Sequence, residues 1–94
     1  MKVAIDYDDT YTLDPECWAA IIDLLVDRGH RVICVTSRFD PFEYPEGEEE
    51  IIDPVPCPIF YTNRRAKEEF MLSEHEYSVD VWIDDNPERV IKPF

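Results

Sequence analysis

Cysteine is sparse and poorly placed for chemistry. Cys17, Cys34 and Cys57 are odd in number, widely separated and never arranged as CxxC. This speaks against a disulfide framework and against a thiolate metal site, and predicts three reduced thiols packed as small apolar groups. Long apolar runs are missing too. No stretch is long enough to span a membrane, and Asp6, Asp8 and Asp9 break the N-terminal apolar run that a signal peptide would need. The expectation is a soluble, cytoplasmic protein. Positive charge is scarce: 9 Lys and Arg against 22 Asp and Glu give a formal net charge of -13. Loosely held nucleic acid and anionic membrane surfaces are disfavoured as partners, whereas a cation is attracted. With 94 residues, no internal repeat and no linker, the chain reads as one domain over 1–94.

Four short apolar runs read as buried strands: Val3 to Tyr7, Arg31 to Thr36, Pro58 to Thr62 and Val79 to Ile83. Helical or turn segments separate them, which predicts an α/β fold with a parallel sheet. The first helix is well punctuated, with Asp14 as N-cap, Pro15 at the first helical position and Gly29 just past the end. Trp18, Ile21, Ile22 and Leu25 recur at helical spacing and are expected to face the sheet as core. A second helix is expected from Asn63 through Met71, with Ala66 and Phe70 inward. A short third segment near Pro87 carries Val90 and Ile91. The stretch from Arg38 to Pro56 is the least regular; Glu48, Glu49 and Glu50 read as a solvated charge run. Phe39, Phe42 and Tyr44 either cover one side of a site or pack beneath this loop. His30 and His75 are expected to face solvent, and Trp82 to lie in the core.

The chemistry gathers at strand ends. Asp6-Tyr7-Asp8-Asp9-Thr10 follows the first strand, and side-chain alternation puts Asp6 and Asp8 on the face opposite Val3, Ile5 and Tyr7. Two unit charges about 4 Å apart cost roughly 4 kcal/mol at an effective dielectric near 20. Three carboxylates in four positions therefore call for a compensating cation. Asp84-Asp85 follows the last strand. Carboxylates without neighbouring Cys or His select a hard cation, with magnesium the default. The plainer alternative is that these acids cap turns, since Asp-Asn-Pro is a turn signal. Asn63-Arg64-Arg65-Ala66-Lys67 opens the second helix in this reading. Cations oppose the macrodipole there unless an anion is bound. Thr36-Ser37-Arg38 after the second strand offers a hydroxyl and N–H groups to a phosphate oxygen.

Taken in order, Asp-Tyr-Asp-Asp-Thr at 6 to 10, Thr36, Lys67 and Asp84-Asp85 resemble the four motifs of the haloacid dehalogenase (HAD) superfamily, across nearly the whole chain. The resemblance implies a Rossmann-like sheet of about four strands in order 3-2-1-4. That order also suits the chemistry, because the first strand must adjoin the last for both acid pairs to share one ion and must adjoin the second for Thr36 to reach the same phosphate. It further implies a Mg2+-dependent phosphomonoester hydrolase. Asp6 would be the nucleophile forming an aspartyl-phosphate, and Asp8 the general acid and base, kept protonated with the help of negative neighbours. Asp6, the Asp8 carbonyl and Asp85 would hold the metal, with Asp84 behind. Thr36 and Lys67 would stabilise the phosphoryl group. Ser37 joins the phosphate site, and Arg38, Arg64 and Arg65 are candidates for a second anionic group on the substrate.

An acid at position 8 resembles phosphatases and phosphomutases rather than dehalogenases or transport ATPases. No insert of cap size follows Asp9 or the third strand, so the site should be open, similar to capless phosphatases and compact bacteriophage members. The substrate is then a phosphorylated small molecule or an exposed phosphate on a macromolecule, with nucleic acid only as an end. Two alternatives stand beside this. One is a protein of the same fold that binds magnesium and phosphate with little turnover. The other is a signalling receiver domain, whose motif order is disfavoured because here an acid pair comes last.

Overall fold

A computed structural model describes residues 1–46 and 53–93. The Glu48–Glu50 charge run falls outside the described residues. The strands are β1 (Lys2–Ile5), β2 (Arg31–Thr36), β3 (Ile59–Tyr61) and β4 (Val81–Ile83). They form one all-parallel sheet in the order β3-β2-β1-β4. Among the described residues three helices accompany it: α1 (Pro15–Asp27), α2 (Lys67–His75) and α3 (Glu88–Ile91). A short 3-10 turn, Tyr11–Leu13, links β1 to α1. No helix among the described residues is long and apolar enough to cross a membrane.

Near-continuous apolar strands are what a parallel sheet covered on both faces requires. Val3, Ile5 and Tyr7 pack with Val32, Cys34 and Ile22 of α1 on one face, with Trp18 and Leu25 alongside. Ala4, Ile33 and Val35 pack with Phe70 and Met71 of α2 on the other. Trp82 is half-buried against this second cluster. Alternation thus commits Asp6, in step with Ala4, to the α2 face. Val90 of α3 is buried, whereas Ile91 faces solvent.

The punctuation of α1 is as the sequence implies. Asp14 Oδ1 accepts from the Cys17 N–H at 3.1 Å, and Pro15 opens the helix. Gly29 takes φ 87°, and its N–H reaches the Val26 carbonyl. A Cβ at this position would meet nothing within 4 Å, so replacement costs backbone strain alone. Gly29→Ala is expected to destabilise the protein by about 1–2 kcal/mol, read as a lower urea midpoint at unchanged slope.

The second helix departs from expectation. It begins at Lys67, not Asn63, and extends to His75. Asn63 and Arg64 adopt φ 54° and 70°, left-handed values that a right-handed helix cannot contain. The basic residues therefore sit in a turn before the helix. Its first turn carries Glu68 and Glu69, the charge sign its dipole favours. The misplaced-cation argument for an anion at this helix start does not hold.

The thiols are free, but only Cys34 is fully buried; Cys57 is half-buried and Cys17 is exposed, because α1 turns it outward. His75 is exposed while meeting the Phe60 ring edge-on at 4.7 Å. His30 is half-buried, its Nδ1 2.8 Å from the N-terminal amine.

Candidate metal and phosphate site

Parallel strands deliver all their carboxyl ends to one edge of the sheet, and the polar residues of the sequence emerge there. The ladder between β1 and β4 continues one step past the strands, with the Asp6 N–H donating to the Ile83 carbonyl at 2.9 Å. This brings Asp6 beside Asp84 and Asp85. One oxygen from each of the three carboxylates lies within 4.8 Å of the other two. Asp6 is 7% exposed, Asp84 is partly buried and Asp85 is open to solvent.

Lys67 enters from the first position of α2. Its side chain is 1% exposed, and Nζ donates to Asp6 Oδ1 at 2.7 Å and to Asp84 Oδ2 at 2.6 Å. Thr10 closes the other side. Its Oγ1 lies 3.1 Å from Asp6 Oδ2 and 3.2 Å from Asp85 Oδ1, donating its one hydrogen to either, and accepts from the Asp85 N–H. Asp84 Oδ1 accepts from the Asn86 N–H. Both Asp84 oxygens are thus engaged, while Asp85 is the more accessible of the pair.

One ammonium does not balance three carboxylates. Burial pushes the Asp6 carboxyl up to about 7; the Lys67 ammonium pulls it down, and a hydrogen bond with Asp85 and the charge of Asp84 push it up again. Desolvation outweighs the lysine. A divalent cation suits this donor set: all the ligands are hard oxygens, neither histidine is among them, and the surplus charge is negative. Oxygens around magnesium stand roughly 3–4 Å apart, so the observed spread closes with small side-chain shifts.

The acids line a shallow concavity of about 140 Å³ together with Asp8, Asp9, Ser37, Arg64, Lys67, Asn86 and Arg89. That volume accommodates a phosphoryl group and an ion, not a whole drug-sized ligand. A larger cavity of about 460 Å³ lies along β3, lined by Phe60, Tyr61 and Glu74 among others, and contains none of the three converging acids. The smaller space is the one with convergent chemistry.

The rim is built by hydrogen bonds that extend the β2–β3 pairing. The N–H groups of Thr62, Asn63 and Arg64 donate in turn to the carbonyls of Thr36, Arg38 and Ser37. Asn63 also accepts from the Asp40 N–H and donates to Glu43. This strapping holds Ser37 and Arg64 at the concavity, with the Arg64 guanidinium 5.4 Å above the Phe39 ring. Phe39 meets Tyr44 edge-on at 5.1 Å, and Phe42 projects into solvent, so the aromatic trio does not act as one lid.

Several candidates sit differently from expectation. Thr36 is fully buried and does not line the concavity; its Oγ1 accepts from the Arg38 N–H at 3.3 Å. Arg65 is turned away and held by Glu69 and Glu74, both at 2.6 Å. Asp8 does line the concavity, but its carboxylate oxygens accept from Arg38 Nε at 2.9 Å and Nη2 at 2.7 Å. The charge directly facing Asp8 is therefore positive, rather than the negative surroundings expected. Thr10, Asn86 and Arg89 were not among the sequence-based candidates. Thr10 was signalled by its place in Asp-Tyr-Asp-Asp-Thr, and Asn86 by adjacency to Asp85; nothing local marked Arg89.

Comparison with known proteins returns no match: no family model fits the chain, and no curated protein or solved structure matches it.

Proposed function

We propose that this protein is a magnesium-dependent phosphomonoester hydrolase of the haloacid dehalogenase type, cytoplasmic, acting through an aspartyl-phosphate on Asp6. The observation that carries the reading is the meeting of Asp6, Asp84 and Asp85 with the Lys67 ammonium at the ends of two adjacent parallel strands. The order β3-β2-β1-β4 supports it as well, because it sets the β2 loop on the other flank of Asp6.

In this reading Asp6 and Asp85 hold the ion through carboxylates and Asp8 through its backbone carbonyl, while Asp84 orients Lys67. Magnesium, when bound, supplies Lewis-acid neutralisation of phosphoryl charge. One Asp6 oxygen attacks phosphorus, and the bond to the leaving oxygen breaks as Asp8 donates a proton to it. Water then attacks the acyl phosphate, Asp8 takes the proton, and inorganic phosphate leaves with Asp6 restored. Lys67 and the N–H groups near Ser37 stabilise the transferring group. Thr36 contributes from below by fixing the Arg38 N–H. Arg64 and Arg89 at the rim suit a substrate with further negative charge, either a phosphorylated small molecule or a phosphate exposed on a macromolecule.

The test is hydrolysis of p-nitrophenyl phosphate with magnesium present. The reading expects steady turnover that stops on adding EDTA. Metal binding without turnover across nucleotides, sugar phosphates and phosphopeptides would favour the second reading, a magnesium- and phosphate-binding protein. The engagement of both Asp8 oxygens by Arg38 is what keeps that reading in play.

Thr10 offers a separate check. It orients two of the three carboxylates without being a ligand itself, and losing such a support typically lowers metal affinity about 10–100-fold. Thr10→Val is expected to weaken magnesium binding within that range in a calorimetric titration while leaving the folded chain intact by circular dichroism.

A further inference from the structure

Arg38 reaches from the loop after β2 to the loop after β1. Its N–H is fixed by Thr36 Oγ1, its guanidinium lies 5.4 Å from the centre of the Tyr7 ring, and its fork grips both oxygens of Asp8. The Arg38 side chain is 20% exposed and that of Asp8 47%. The guanidinium is thus the more anchored partner, and the carboxylate is the one at the opening. The planar fork that fits a carboxylate fits a phosphate equally well, and a dianionic phosphoryl group is the stronger partner. Asp8 and Ser37 line the concavity whereas Arg38 does not, so an oxyanion there reaches the guanidinium donors by displacing the Asp8 carboxylate that holds them.

We propose that Arg38 is a positioning residue that trades Asp8 for the substrate phosphate. With the concavity empty of phosphate, the guanidinium holds Asp8 away from the position of a leaving oxygen. An arriving phosphoryl group takes the fork, and the carboxylate is released toward the reacting centre only then. No covalent bond changes in the exchange; one guanidinium–carboxylate pair is replaced by one guanidinium–phosphate pair. The inference rests on the phosphatase reading for the purpose of the exchange, but the exchange itself is a property of anion binding.

The experiment is a double-mutant cycle read by calorimetric binding of inorganic phosphate to the full chain in magnesium buffer. The forms compared are the wild type, Asp8→Asn, Arg38→Ala and the double variant. Removing the competitor should tighten phosphate binding about tenfold in the Asp8→Asn protein. The gain should vanish, to less than about twofold, once Arg38 is alanine. An equal gain in both backgrounds would mean that Asp8 acts only as a nearby like charge, and would overturn the exchange. So would an absence of phosphate binding in every form. If Arg38→Ala fails to fold by circular dichroism, Arg38→Lys replaces it; charge without the fork should cut the gain to less than about threefold, and an undiminished gain overturns the proposal. Coupling without turnover in any form leaves the exchange standing and removes the hydrolase reading alone. Turnover without coupling removes the exchange alone.

Discussion

Lys67→Met is expected to destabilise the metal-free protein by about 3–5 kcal/mol, the usual consequence of removing one partner from a buried ion pair. The ammonium is almost wholly buried, touching Asp6 at 2.7 Å and Asp84 at 2.6 Å. Methionine fills the space of the stem but removes the positive charge that Asp6 and Asp84 share, leaving Asp6 Oδ1 and Asp84 Oδ2 without that donor. Against a typical total of about 5–15 kcal/mol this is a large fraction. The urea midpoint should drop by roughly 2 M. The loss should shrink in acid, where the orphaned carboxylates protonate, and in excess magnesium, which offers replacement positive charge. An unchanged midpoint would mean that the lysine does not hold the acids together. Turnover on p-nitrophenyl phosphate should also fall about 10²–10³-fold, the range for losing one group that stabilises developing charge.

Asp6→Asn separates stability from chemistry. The amide cannot form an acyl phosphate, so turnover should fall by at least about 10⁴-fold, as for loss of other covalent nucleophiles. The fold should tolerate the change, because burial already disfavours the Asp6 charge when no ion is bound. The sign of the pH effect follows from the raised pKa. An unfolded aspartate ionises near 3.9, whereas in the folded chain Asp6 does so only near 7. Between these values the native state binds a proton that the unfolded state has released. The stability contributed by Asp6 is therefore fully present below about pH 4 and is lost as pH rises to about 7, with a slope approaching 1.4 kcal/mol per pH unit at most, about the free energy of one pKa unit. Subtracting the Asp6→Asn denaturation curve from wild type at each pH isolates this component. Saturating magnesium should abolish it. A flat difference curve without metal would contradict the buried, frustrated carboxylate, and full turnover in the variant would remove Asp6 as nucleophile.

The fold was largely legible because its signals are local. Apolar runs bounded by turn residues marked all four strands, and Asp14, Pro15 and Gly29 marked both ends of α1. The start of α2 was missed because Asn63 suits a left-handed turn as readily as a helix start and Arg64 marks neither; their backbone donates to the Arg38 and Ser37 carbonyls, contacts distant in sequence. The acid cluster was foreshadowed by where Asp6, Asp84 and Asp85 stand relative to their strands. Ion pairs were less readable. Arg65 has an acid four residues ahead at Glu69, a spacing visible in the sequence, and that pair forms across the start of α2. The grip of Arg38 on Asp8 spans 30 positions and no spacing rule foretells it.

The outermost strand β4 has only three residues and a single neighbour in the sheet, yet it delivers two of the three converging acids. Its far end is tied down by polar side chains, Thr10 to Asp85 and Lys67 to Asp84, as well as by the ladder bond from the Asp6 N–H to the Ile83 carbonyl. Fraying of that edge therefore dismantles the cluster before the rest of the sheet is disturbed, and anything that occupies the cluster works as a clasp between segments nearly eighty residues apart. In the proposed metal-dependent reading, ion binding and the seating of β4 against β1 become one event, so affinity measured for the ion would include the free energy of seating β4.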